Sequence, residues 1–340
     1  MRTNKISATL LIAGFSCLSI ISCDDEEPKL LAPKPDKVAL KEFFNSGVSD
    51  RTQLFTLNAG TGGHINGSQG TVIKFGGSAF KTLGGEIVTG SVNVELVEIY
   101  KRSTMLLTKR PTNGKNDNGS IDMLVSGGEF YVNATQNGIQ LKPASGYTIV
   151  APTSNTGEID QDMRLFNGIE TCVGDDCDVT WQENKDRGVE VGEFQTTGGF
   201  KTAYYVFQSY FGWTNIDRWY NDPRQKTTIH VDVPEGFDNS NCAVFIVYDG
   251  EPAALGRFDK YDQQKGMFTE HYGLIPVGLK VHIILISVIE GSVHYAIQTS
   301  TITENHVEKI DAVESITEEE LIDLIDELPR PKAWEYFRTS

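Results

Sequence analysis

The chain has 340 residues and a formal charge of −16, from 46 acidic against 30 basic side chains. That balance disfavours nucleic acid and anionic lipid surfaces as partners. The length suits about two ordinary domains, and beyond the N-terminal segment no stretch is long and apolar enough for a helical membrane span.

Arg2 and Lys5 form a basic start, and Leu10, Leu11, Ile12, Phe15 and Leu18 follow in an apolar stretch, which predicts a signal peptide over residues 1–22. The run Ile20-Ile21-Ser22-Cys23 resembles a bacterial lipobox, whose Cys is lipidated and becomes the mature N-terminus. The resemblance implies a membrane anchor at Cys23, with acyl chains contributing roughly 0.8 kcal/mol per buried CH₂. Asp24-Asp25-Glu26-Glu27 is a like-charged, extended spacer, and it is also similar to the surface-export signals that follow the lipidated Cys in Bacteroidota lipoproteins. Pro28, Pro33 and Pro35 stiffen a tether over residues 23–51. Removing residues 1–22, with Arg2 and Lys5, leaves 318 residues and takes the charge from −16 to −18.

Asp36 to Phe44 reads as a short helix stopped near Gly47. From Gln53 onward the pattern is strands and turns, and 33 glycines fit a turn-rich chain. The expected strands of a first block are Leu54–Leu57, Thr71–Phe75, Ser91–Ile99, Glu129–Thr135 and Tyr147–Val150. Ser91–Ile99 alternates polar and apolar residues, and Asn137-Gly138 signals a hairpin. Ser154–Asp162 is polar and without period, so the domain boundary is placed there. The second block offers Ala203–Gln208, Thr227–Val233, Ala243–Tyr248, Val281–Val288 and Val293–Thr299, punctuated by glycines. Thr317 caps a last helix with Glu318–Glu320 in its first turn, Leu321, Leu324, Ile325 and Leu328 on one face, and Pro329 at its end. The expected fold is all-β: two tandem β-sandwich domains, 52–153 and 163–312, then a short C-terminal helix (313–329) and a tail (330–340).

Of five cysteines, Cys17 leaves with the signal and Cys23 takes the lipid. Cys172 and Cys177 flank the turn-like Val-Gly-Asp-Asp, and a disulfide between them contributes about 2 kcal/mol in the chain-entropy model. The alternative, a metal site using Asp175, Asp176 and Asp178, lacks the spacing of a known cation loop. Cys242 precedes an apolar run and reads as a buried small hydrophobe.

The segments Phe55–His64, Gly70–Phe75, Ala79-Phe80 and Val88–Tyr100 resemble a β-sandwich domain shared by zonula occludens scaffolds, ankyrins and netrin receptors. Phe75-Gly76-Gly77 stands where that family usually carries Pro. Met105-Leu-Leu, Leu124–Val132 and Ala134–Gly138 resemble the version in Bacteroidota lipoproteins, and Phe211–Arg224 resembles their second domain. Covering about residues 52–310, the resemblance implies a fold, a compartment and, through the eukaryotic relatives, protein contacts without chemistry.

Catalytic motifs are absent. The glycines of Gly60–Gly63 and Gly67–Gly70 lack the Gly-Lys-Ser/Thr and following helix of a phosphate cradle. No Gly-x-Ser-x-Gly elbow or His-Glu-x-x-His occurs, and the six histidines are scattered, with only His282 and His294 on runs that can be neighbours. Carboxylates are abundant, so counting alone singles out no glycosidase pair. The richest stretch is Tyr204–Arg224, with Trp213, Trp219 and Tyr220 among Asn215, Asp217 and Arg218. Such a set stacks on sugar rings or anchors a protein interface; the competing reading puts the tryptophans in the core. The sequence therefore predicts a non-enzymatic, lipid-anchored outer-membrane surface protein acting as an interaction or scaffold module. Its partners are the membrane, through the N-terminal lipid, and a protein or glycan, with no cofactor and no nucleic acid. A glycan-binding lipoprotein using these aromatics is the second expectation and an extracytoplasmic hydrolase the third.

Overall fold

The computed structural model describes residues 34–173, 176–196 and 198–328. The signal segment, Cys23 and the acidic run, most of the tether, Pro329 and the tail lie outside the described residues.

The chain is mainly β, with several sheets and a short C-terminal helix. The largest sheet has eight strands: seven run in the order Gln53–Asn58, Ser91–Ile99, Ile121–Gln136, Gly212–Trp219, Arg164–Val173, Asp176–Glu183 and Asn113–Lys115, and the short Ile139–Gln140 pairs with the end of Ile121–Gln136. Asn113–Lys115 pairs parallel with Asp176–Glu183 and antiparallel with Ile121–Gln136, which closes the last five strands into a small barrel. A five-stranded sheet covers one face of the large sheet, and Val92, Val94, Leu96, Phe130 and Val132 pack there against Ile73, Phe75, Ile149 and Val206.

Residues 226–316 form a four-stranded and a five-stranded sheet around another core. The strands Cys242–Tyr248 and Lys280–Ile289 are apolar almost throughout because both faces are buried. Val244, Ile246, Ile283 and Leu285 face that core, while Phe245, Val247, Ile284 and Ile286 face a middle layer shared with the barrel and the helices.

The strands on either side of 154–162 belong to the same sheets. Tyr147–Pro152 pairs with Gly199–Gln208, and Arg164–Val173 joins Gly212–Trp219 in the large sheet. The expected boundary is thus a surface loop inside one sheet pair, and the change to the other sheet pair follows Trp219. Polar composition without period marks any exposed connection, whether or not it separates domains.

Helix α1, Lys37–Ser49, starts on an Asp36 cap and continues through Gly47. A Cβ at Gly47 would lie 2.0 Å from the carbonyl oxygen of Leu107, so this glycine lets α1 cross helix α2, Arg102–Leu107, at backbone contact. Helix α3, Glu318–Asp326, has a complete capping box between Thr317 and Glu320, and buries Leu321 and Ile325. No helix among the described residues is long and apolar enough to cross a membrane.

Candidate functional site

The barrel interior is built around tryptophan. Trp181 and Trp213 come from strands that are not neighbours, yet their rings meet edge-on at 6.4 Å. On the strand between them, a Cβ at Gly168 would lie 2.4 Å from Trp213 Cβ, so the glycine gives these rings their room. Trp181 Nε1 donates to the Pro111 carbonyl at 2.8 Å, and Trp219 Nε1 donates to Glu183 Oε2 at 3.1 Å.

The six sequence candidates therefore do not form one exposed surface. Trp213 is 3% exposed, and Asn215 and Asp217 are fully buried. Arg218 alternates outward and pairs with Asp160 at 2.7 Å and Glu251 at 3.1 Å. Trp219 meets the Phe166 ring edge-on, and Tyr220 packs against Tyr248. The alternation of Gly212–Trp219 points Trp213, Asn215, Asp217 and Trp219 along one face, but that face is the barrel interior.

Polar groups come together there. The ladder between Ile121–Gln136 and Gly212–Trp219 slips between Asn215 and Asp217, where the first strand supplies one extra residue at Gly127-Gly128. A glycine pair suits such a bulge, and Gly128 has φ of 134°. The slip brings Ser126 opposite Asp217 and Glu129 opposite Asn215. Asn215 Nδ2 donates to Asp217 Oδ2 at 2.6 Å, and Ser126 Oγ donates to Asn215 Oδ1 at 3.0 Å. Both Glu129 oxygens and Asp217 Oδ1 are buried without a hydrogen-bond partner among the described residues. Burial drives the Glu129 carboxyl well above its usual range, Asp217 adds to this, and Arg110 opposes it. Burial does the same to Asp217, against the hydrogen bonds of Ser126 and Asn215. In both carboxyls burial favours the neutral, protonated form.

Above the pair sits Arg110. Its guanidinium stacks over Trp213 at 4.7 Å, and Nη1 donates to the carbonyls of Thr108, Lys109 and Cys177 at 3.1–3.2 Å. Burial pushes its pKa below the usual value for arginine, with Glu170, Glu129 and Asp178 pulling it back. Arg110 is placed by the end of α2. The N–H of Lys109 donates to Leu106 at 3.0 Å and that of Arg110 to Met105 at 2.8 Å, the double closure that normally places glycine at the first position past the cap. Here that position is Lys109, with φ of 54°. Its Nζ pairs with Asp178 at 2.9 Å, and Arg257 binds the same carboxylate oxygen. Although burial opposes it, Arg257 and Lys109 hold the Asp178 carboxyl below its usual range.

Lys109 and Arg110 form one wall of an open cleft of about 560 Å³, within the range of small-ligand sites. Phe44 and Val48 of α1 line it with apolar surface, and from the large sheet come Glu170, Glu95 and, directly beside Glu95 on the neighbouring strand, Leu54. Asn133 Nδ2 donates to Glu95 at 3.0 Å. Cys177 lies at the cleft edge, bonded to Cys172 at the end of the hairpin that carries Glu170. Sequence reasoning missed Glu95, Lys109, Arg110, Glu129 and Glu170. The adjacent cations of Lys109-Arg110-Pro111 were the one local signal, and nothing in the sequence places them beside Glu170.

Among the described residues no group of three or more His, Cys, Asp or Glu side chains is arranged to hold a metal ion. Cys242 is free and buried. His282 and His294 lie on neighbouring strands, but His282 Nδ1 contacts Thr299 Oγ1 and His294 Nδ1 contacts the Ser292 carbonyl.

No protein-family model matches the chain, and no curated protein matches it. Among solved structures, a γ-CGTase from alkalophilic Bacillus clarkii aligns with 75% of this chain at 11% identity and a TM-score of 0.19. The chain spans 40% of that chain's length, and so slight a likeness bears on neither fold nor activity.

Proposed function

We propose that this is a lipid-anchored, non-enzymatic binding protein of the outer-membrane surface, and that its ligand enters the cleft beside Lys109 and Arg110. The lipobox-like Ile20–Cys23 and the following acids support the anchor and the compartment. The fold reads as two β-sandwiches sharing a middle layer, with the barrel built into the first, and the resemblance to scaffold and receptor domains favours contact over chemistry.

One observation carries the binding reading. Arg110 is 7% exposed, yet its hydrogen-bond partners among the described residues are carbonyls and none is a carboxylate. Burying a cation costs several kcal/mol unless it is paired. A cation held so at the edge of an open cleft is poised for an incoming group. The glycan reading relied on Trp213 and Trp219 as a stacking surface, and their inward orientation removes that support.

Hydrogen exchange on the anchored protein, with and without cell-envelope extract, tests the site. Protection is expected in α1 and residues 108–115. Protection confined to the four-stranded sheet of residues 226–309 would overturn it.

A further inference from the structure

We propose that the cleft captures the free C-terminal carboxylate of a short peptide, with Arg110 and Lys109 as its receptors. This rests on the cleft being the ligand site. The wall charges are two cations against Glu95 and Glu170, so a singly charged group suits them better than a phosphate dianion, which the two acids would repel. A guanidinium held by carbonyls on one edge is pre-organised, and carboxylates match its planar fork. Arg110 Nε is buried and has no partner among the described residues. In the same cleft, Glu95 and Glu170 are acceptors for the N–H groups of a peptide backbone. Phe44, Val48 and Leu54 offer apolar surface for its last side chain. A sugar acid would bring the carboxylate but leave that apolar surface unmatched.

The test uses the full-length protein in detergent and a library of acetylated tripeptides, prepared as free acids and as C-terminal amides, by calorimetric titration. The free acids are expected to bind at least tenfold more tightly than the amides. Lys109→Gln should weaken free-acid binding severalfold. Asp178→Asn, which removes one anion paired with Lys109, should strengthen it and leave the amides unchanged. This last variant keeps the test decisive if Lys109→Gln fails to fold. Equal binding of acids and amides, with α1 protected, would overturn the carboxylate assignment and leave the cleft reading standing. Tighter binding of a uronic-acid disaccharide would overturn the peptide assignment. Absence of any heat up to 10 mM library, ~100-fold above a modest Kd, would overturn the proposal as a whole.

Discussion

Replacing Lys109 by Gly and by Ala separates backbone strain from side-chain loss. Both substitutions remove the ion pair with Asp178, whose carboxylate is half-exposed, and that loss is about 1 kcal/mol or less. Both also remove the ammonium that lies over the Phe44 ring, 6.0 Å from its centroid. The two variants then differ only in backbone terms. A left-handed conformation such as φ of 54° costs a non-glycine residue about 1–2 kcal/mol. Glycine avoids that cost but loses about 0.4–1 kcal/mol through the greater freedom of its unfolded chain. Lys109→Gly should therefore be more stable than Lys109→Ala by about 0.5–1 kcal/mol, the reverse of the order in a helix interior. Urea unfolding, with equal slopes for both variants, measures the difference. If the alanine variant is equal or better, Lys109 is unstrained, and its side chain is not held at the cleft against a backbone preference.

Further outcomes follow from the buried groups and the anchor. Glu129 and Asp217 have native pKa values raised above the ordinary 4.5 and 3.8, so their contribution is fully present below those values and is lost as pH rises toward the native ones. Glu129→Gln should accordingly raise the thermal midpoint more at pH 8 than at pH 4, and the opposite order would mean that the carboxylate is ionised and paired with Arg110. Trp213→Ala should destabilise by about 3–5 kcal/mol, and an unchanged urea midpoint would place that ring outside the core. Reducing Cys172–Cys177 should cost about 2 kcal/mol and raise hydrogen exchange in residues 164–183 before other strands. Cys23→Ala should move the protein to the soluble fraction, and retention on membranes through a high-salt wash would refute lipid anchoring.

Local signals in the sequence were readable where one face of an element is buried and the other wet. Ser91–Ile99 alternates, and it is the strand observed between those same residues. Asn137-Gly138 turns the chain with φ of 53° and 78°, and Thr317 caps α3. The site was illegible for the complementary reason. Trp213, Asn215, Asp217 and Trp219 have the composition of a wet binding face, and only the closure of five strands into a ring turns that face inward. The closure depends on the parallel pairing of Trp181 and Gln182 with Gly114 and Lys115, across some seventy residues and without a local motif. Likewise, Lys109 and Arg110 become a cleft wall only because Gly47 lets α1 lie against α2.

The extra residue at Gly127-Gly128 acts as a phase change within a single strand. Before it, even-numbered Leu124 and Ser126 point into the barrel; after it, odd-numbered Glu129 does, and Phe130 and Val132 turn to the opposite core. Met123 and Val125, from the first phase, reach the core of the other sheet pair. One continuous strand is thus common property of all three hydrophobic cores, and its parity is set by two residues without side chains. Deleting one of those glycines would not leave a small gap. It would invert one half of the strand relative to the other, exchanging Leu124 and Ser126 for Val125 in the barrel, and no core could be repaired without breaking another. The two sheet pairs should consequently melt as one unit, and a chain ended after Trp219 should not fold as an independent module.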